Sequence, residues 1–278
     1  MSAPLLGAAG VGIGLRTAHC REILERRPAL GFLEVHSENY FGGAALATLE
    51  RVRREYPVTL HGVGLSLGSV DPLDTRHLEK LDELTRRIEP AIVSEHLSWT
   101  SVGGRHANEL LPMPFTREAA AHIAVRIGEA QDRLGRRLVV ENVSAYHALG
   151  TPEMSEWEFV AEVVQRSGCA LLLDVNNIHV NAANFGFDAR RYLAAIDPAC
   201  VAQYHLGGHE PQDKLLVDTH GARVSDAVWA LYREAIARIG ARPTVIEWDT
   251  RLPALDVLLD EARGARAISQ REDAAVTA

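Results

Sequence analysis

Short runs of β-branched and apolar residues recur along the chain, each closed by polar residues: Val11–Leu15, Phe32–His36, Val58–Gly62, Ile92–Leu97, Leu138–Asn142, Ala170–Val175, Val201–Leu206 and Pro243–Trp248. Between them the apolar positions repeat with helical spacing, predicting helices over Ala45–Tyr56, Thr75–Arg87, Arg117–Leu134, Glu153–Arg166, Ser225–Ile239 and Ala254–Ala265. Thr116, and Ser225 with Asp226, stand where N-terminal caps belong. Strand and helix alternating eight times predict a parallel sheet with helical crossovers. The count of eight favours a closed (β/α)8 barrel over an open doubly wound sheet. In such a barrel the active site forms at the C-terminal strand ends.

The length of 278 residues suits one such barrel, a fold that takes roughly 250 residues. The expected organisation is a single metal-binding barrel over residues 1–266, followed by a flexible tail over 267–278. A hydrophobic content of 47% can fill the core, and the formal charge of −8 argues against a nucleic-acid partner, whose phosphates call for Lys and Arg. Cys20, Cys169 and Cys200 are odd in number and widely spaced, so neither a disulfide framework nor a thiolate metal site is predicted. The N-terminal MSAPLLGAAG lacks the basic segment of a signal peptide, and no apolar run approaches the roughly 20 residues of a membrane span. A cytoplasmic protein with no membrane partner is expected.

The residues that close the strands carry the chemistry. The third predicted strand ends in His61, the fourth in His96, the fifth in Glu141 and the sixth in Asp174, with Asn177 just beyond. The seventh ends in His205, the loop after it holds Asp218 and His220, and the eighth ends in Glu247. Side chains alternate across a strand, so Ser94 with His96, Val139 with Glu141, and Gln203 with His205 share faces. Turned inward, these faces converge on the barrel mouth. Four carboxylates gathered there repel: two like charges about 5 Å apart cost roughly 3 kcal/mol at an effective dielectric near 20. Few Lys or Arg lie at these strand ends to compensate, so divalent cations are the expected counter-charge, and imidazole suits first-row metals. Nine candidate ligands are too many for one ion of four to six ligands and fit two or three ions. His96, Glu141, Asp174 and Glu247 are the residues expected to bear most directly on catalysis. Glu38, Asn39, Asn142, Asn176 and His209 are candidates to orient the ligands or meet substrate. His36 is expected to line the pocket without ligating. His19, His77 and His122 fall on helical segments and are expected on the outer surface.

The stretches FLEVHSENYFGG, LHGVGLSLGS, VSEHLSWTSVGG, LLPMPFT, VVENVSAY, CALLLDVNNIHVNAANFG, YHLGGH, LVDTHG, VWALY and PTVIEWD resemble the DUF692 family, also called UPF0276. Its members are termed multinuclear non-haem iron-dependent oxidases. The resemblance runs from about Gly12 to Ala265. It implies a xylose-isomerase-like barrel holding two or three iron ions and using dioxygen as co-substrate. The family includes the methanobactin-biosynthesis oxidase and the bufferin-maturation enzymes. They act on cysteines of ribosomally made precursor peptides, giving oxazolone and thioamide, thiooxazole or related products. The resemblance further implies a separate partner protein that recognises the peptide leader.

The ligand order also resembles the trinuclear zinc site of endonuclease IV-type enzymes: His, His, Glu, Asp, His, His, Asp, His, Glu. This chain follows it at His61, His96, Glu141, Asp174, His205, Asp218, His220 and Glu247, and departs at Asn177, where the pattern has His. His179, two residues on, is the alternative ligand. An amide oxygen in place of imidazole and an acidic surface weigh against the alternative function, a metal-dependent phosphodiesterase or abasic-site endonuclease. A sugar isomerase of similar fold would call for a lysine at a strand end, and none is present.

Overall fold

The computed structural model describes residues 6, 7 and 9–276; the remainder of MSAPLLGAAG and the last two residues lie outside the described residues. Eight parallel strands close into a barrel: β1 (Val11–Gly14), β2 (Leu33–His36), β3 (Val58–Gly62), β4 (Val93–His96), β7 (Val139–Glu141), β8 (Ala170–Asp174), β9 (Val201–Leu206) and β12 (Thr244–Ile246). Neighbours pair in chain order, and β1 pairs β12 to seal the seam, with Ile13 opposite Ile246. Each barrel strand matches one of the eight apolar runs, most of them trimmed by a residue or more at the ends.

Two antiparallel hairpins interrupt the alternation. β5 (Trp99–Val102) and β6 (Arg105–Leu111) follow β4, while β10 (His209–Gln212) and β11 (Leu215–Asp218) follow β9. Sequence periodicity misses both, because they project from the barrel and β6 is largely exposed, leaving no buried face to pattern.

The helices are α1 (Cys20–Arg26), α2 (Gly43–Glu55), α3 (Thr75–Ile88), α4 (Arg117–Leu134), α5 (Glu156–Ser167), α6 (Val175–Phe185), α7 (Ala189–Ala195), α8 (Asp226–Ile239) and α9 (Leu255–Val276). Local chemistry sets their starts. Thr116 accepts from the Ala119 amide, and Ser225 from that of Val228. At α5 the Ser155–Glu158 capping box fixes the start at Glu156, three residues later than the periodicity suggests. The tail expected from residue 267 requires correction: α9 continues through Val276. Ala262, Ala265 and Ser269 are buried on one stripe with Ile268 beside it, so the helix keeps a packed face that small residues only weakly advertise.

Most of the apolar core lies between barrel and helices. Inside the barrel, a small separate cluster of Val139, Ala170 and Leu172 fills the base. Above it the buried inward positions turn polar, with Glu34, Thr59, His61, Ser94, Glu141, Asp174, Gln203 and His205. Val139 and Glu141, like Leu172 and Asp174, stand two residues apart on one strand, so each strand passes from apolar plug to polar mouth on the same face. Among the described residues no helix is long and apolar enough to cross a membrane.

Candidate metal centre

His61, on β3, and His96, on β4, point their Nε2 atoms at one another across 3.2 Å. Behind each ring, Nδ1 is engaged. That of His96 donates to the Gly62 carbonyl at 2.9 Å. That of His61 lies 2.8 Å from Ser94 Oγ, whose own hydrogen goes to the Leu60 carbonyl. Both Nε2 lone pairs therefore face the cavity. Glu141, at the end of β7, places Oε2 3.0 Å from His61 Nε2 and 3.2 Å from His96 Nε2. Its Oε1 lies 3.5 Å from His205 Nδ1, which is 2.9 Å from Glu247 Oε2.

On the far side, Asp174 is fully buried and Asn177 begins the turn of α6 above it. Asp174 Oδ1 accepts from the Asn177 amide at 2.6 Å, leaving Oδ2 without a hydrogen bond, 3.8 Å from His220 Nε2. His220 Nε2 is 2.8 Å from Asp218 Oδ1, on β11. Its Nδ1 faces Asp249 at 3.2 Å and Glu247 at 3.4 Å. The β10–β11 hairpin thus delivers Asp218, and the left-handed turn at His220 (φ 40°) swings the ring back over the mouth. Gly207 makes room for it: a Cβ there would lie 2.3 Å from His220 Cδ2.

Burial and charge act in opposite directions here. Burial opposes a charged His96, yet the Glu141 and Glu95 carboxylates push its imidazole up to about 9. Burial would raise Glu141, but His96, His205 and His61 hold it far below the carboxylate range. Asp174 goes the other way, driven well above its ordinary value by burial and by the Glu141 charge. The chain alone thus resolves this crowd of like donors only by sharing protons.

The residues present fit divalent metal ions. Glu141 Oε2, Asp174 Oδ2, Asn177 Oδ1, His205 Nδ1 and His220 Nε2 are all buried without a hydrogen-bond partner, and buried polar groups left so cost roughly 1–3 kcal/mol each. Among the described residues four overlapping groups, His61–His96–Glu141, His61–His205–Glu247, Glu141–Asp174–His205–Glu247 and, at the rim, His36–Glu247–Asp249, each bring their ligand atoms within 4.8 Å of one another. Nitrogen and carboxylate donors of this kind suit first-row transition metals. A cavity of about 300 Å³ opens over them, lined by His36, His96, Asn108, Tyr146, Asn177, His220 and Glu247 among others.

The other sequence candidates divide. Asn142 clamps the neighbouring strand, accepting from the Asp174 amide at 2.9 Å and donating to its carbonyl at 3.0 Å. It also receives Asn177 Nδ2 on its own carbonyl, which turns Asn177 Oδ1 toward the site. Asn176 donates to Asp218 and contacts His209 Nδ1. Glu38 stands further off, accepting from the Val63 and Gly64 amides in the loop after His61. Two expectations need correction. Asn39 is exposed, because the 3₁₀ turn Ser37–Tyr40 sends Glu38 inward and the next side chain out. His179 lies two helical positions from Asn177, on a different side of α6, with its ring 4.8 Å from that of His209. Of the helical histidines expected at the surface, His19 is instead buried against the Pro253 carbonyl, while His77 and His122 are half-buried, contacting Glu38 at 3.3 Å and the Ser69 carbonyl.

Sequence reasoning misses Glu34, Glu95, Asp249 and Arg16. Glu34 stands two residues before His36 on β2, so alternation puts both on one face without saying which way that face looks. Arg16, beyond the end of β1, brings a cation to the mouth that the sequence reading did not single out: it pairs with Asp249 and lies 3.7 Å from Glu247.

A family model described as "RiPP precursor modification enzyme MbnB/TglH/ChrH" matches residues 10–270. A UPF0276 protein of Anaeromyxobacter sp. (strain Fw109-5) is 51% identical over 92% of this chain and 91% of its own length. Another from Acaryochloris marina is 48% identical over 92% and 93%. Among solved structures, an L-ribulose 3-epimerase superposes with TM-score 0.64 at 15% identity, covering 97% of this chain and 98% of that one. Endonuclease IV from Thermus thermophilus superposes with TM-score 0.62 at 17% identity, over 94% and 99%. At such identities these two show a shared barrel fold.

Proposed function

Because the chain belongs to the MbnB/TglH/ChrH family of RiPP precursor modification enzymes, we propose that it is an iron-dependent oxidase that modifies cysteines of a ribosomally made precursor peptide with dioxygen. The observation that carries this reading is the set of buried, unpartnered donor atoms facing one cavity at the barrel mouth. His61, His96, Glu141, Asp174, Asn177, His205, Asp218, His220 and Glu247 would hold two or three iron ions, and these would supply the redox chemistry and a binding place for the cysteine thiolate.

The chain's own part is geometry. Ser94 and the Gly62 carbonyl fix which nitrogen of His61 and His96 faces the cavity. Asn142 sets Asp174 by gripping its backbone. Tyr146 Oη accepts from the Asp218 amide at 3.0 Å, tying the β10–β11 hairpin to the loop after Glu141. His36, Asn108 and Tyr146 line the cavity, where an entering peptide would meet them. Oxazolone and thioamide, or thiooxazole, are the expected product types. A separate protein recognising the leader is the expected partner, and the cytoplasm, which keeps thiols reduced, is the expected setting.

The test is anaerobic purification, metal analysis with Mössbauer spectroscopy, and incubation with a cysteine-containing peptide encoded nearby. Bound iron, oxygen uptake and a change in peptide mass are expected. Stoichiometric zinc, activity without iron and no oxygen uptake with the thiol peptide would overturn the oxidase reading and favour a hydrolase.

A further inference from the structure

Glu34, on β2, is buried inside the barrel beneath the cluster of donors. Its Oε1 lies 2.7 Å from His205 Nε2. Its Oε2 accepts from Thr59 Oγ1 at 2.9 Å and from Gln203 Nε2 at 2.6 Å. Among the described residues no arginine or lysine is paired with it; its neutral donors are a hydroxyl and an amide. Taking a carboxylate out of water costs several kcal/mol, so a structural role alone accounts poorly for an acid here when a neutral side chain could satisfy Thr59 and Gln203.

The contact with His205 gives the acid a use. A carboxylate oxygen can only accept, so the hydrogen of a neutral His205 ring sits on Nε2 and its lone pair on Nδ1. Nδ1 has no hydrogen-bond partner and faces Glu247 Oε2 at 2.9 Å and Glu141 Oε1 at 3.5 Å. His61 and His96 differ: they turn Nε2 to the cavity, and their Nδ1 atoms are held by a serine hydroxyl and a backbone carbonyl. Carboxylates also stand behind His96, where Glu95 lies 3.4 Å from Nδ1, and behind His220, where Asp249 lies 3.2 Å from Nδ1, but the Glu34 contact with His205, at 2.7 Å, is the shortest of the three.

We infer that Glu34 is a positioning residue that fixes His205 with Nδ1 toward the cavity, making the ion shared with Glu141 and Glu247 the most tightly held of the centre. This rests on the metal-centre reading above. A carboxylate behind a ligating imidazole fixes the ring's orientation and raises its basicity, and losing such a partner typically weakens metal binding by about 10–100-fold.

The experiment strips the full-length protein with a chelator and titrates it anaerobically with Co²⁺ against a competing chelator, following the visible absorption of the bound ion. Glu34→Gln should weaken one bound Co²⁺ by about 10–100-fold and shift its absorption, leaving the other sites unchanged. Glu34→Asp should recover part of the loss. Thr59→Val, which removes a donor to Glu34 without touching the cavity, should weaken the same ion a few-fold. If Glu34→Gln binds Co²⁺ with wild-type affinity and spectrum, the role of Glu34 is overturned while the metal centre stands. If circular dichroism shows that Glu34→Gln does not fold, Thr59→Val decides, and unchanged affinity there overturns the inference. Wild-type protein that takes up no Co²⁺ would overturn both readings.

Discussion

His61 and His96 present their Nε2 lone pairs to each other at 3.2 Å, with the Nδ1 atom behind each ring already engaged. Two imidazole lone pairs at that separation repel unless a cation or a shared proton lies between them. A divalent cation that binds the folded chain and not the unfolded one adds about 2.7 kcal/mol of stability at one hundred times its Kd. Scanning calorimetry should therefore show the unfolding midpoint rising by several degrees when chelator-stripped protein is reloaded with Fe²⁺ under anaerobic conditions. Identical midpoints with and without the metal would contradict this account of the cluster.

Two histidines close in sequence should respond differently to truncation. His96→Ala removes a donor facing Glu141 at 3.2 Å, whereas His77→Ala removes a ring that packs on Phe41 and contacts Glu38. Elemental analysis should find at least one ion lost from His96→Ala and Glu247→Ala, with normal circular dichroism, and full metal content in His77→Ala. Equal metal content in all three would show that the donors at the strand ends do not hold the ions.

The barrel was legible because its signal is local: apolar runs of strand length, helical repeats between them, and caps such as Thr116 and Ser225. The candidate ligands were legible because most of them close a strand, where the fold itself sets the position. What escaped depends on relations that sequence spacing does not encode. Alternation puts Glu34 on one face with His36, but nothing local says whether that face looks into the barrel or out. Strand β6 is largely exposed and has no buried face to betray its hairpin, and Arg16 reaches Asp249 only because β1 and β12 meet at the barrel seam. His179 competes with Asn177 in the sequence, and only the turn of α6 separates them.

Gly207 offers a test of His220 that leaves every donor in place. A Cβ at Gly207 would meet His220 Cδ2 at 2.3 Å and Nε2 at 2.7 Å, well inside van der Waals contact. The ring cannot easily withdraw, because the His220 carbonyl accepts from the Asp249 amide at 2.7 Å and the Thr250 amide at 3.2 Å. Gly207→Ala should therefore displace the imidazole and lower metal content by about one ion per chain, because an ion of this kind takes few ligands and the loss of one opens its shell. Elemental analysis reads the change. A variant with full metal content would mean that His220 is not needed to hold an ion.

Glu156 should make stability depend on pH in a way that a glutamine would not. Its side chain is buried at the start of α5, and Asn181 Nδ2 donates to Oε2 at 2.9 Å. Asn181 in turn accepts from the Ala145 amide and donates to the Val143 carbonyl, holding the loop that follows Glu141. Burial pushes Glu156 up to about 7 from an ordinary 4.5, against the lowering effect of its bond from Asn181 and of the nearby Tyr192 hydroxyl. The folded chain therefore holds a proton that the unfolded chain releases between pH 4.5 and about 7. The stability linked to that proton is fully present below the unfolded value and is lost as pH rises through the folded one. The full interval is worth about 3 kcal/mol. Urea unfolding of wild type and Glu156→Gln at pH 5 and pH 8 isolates this contribution from other titrating groups. Wild type should lose more stability than the variant between the two pH values, by about 2–3 kcal/mol. Parallel losses would mean that the buried Glu156 carboxyl titrates alike in the folded and unfolded chain.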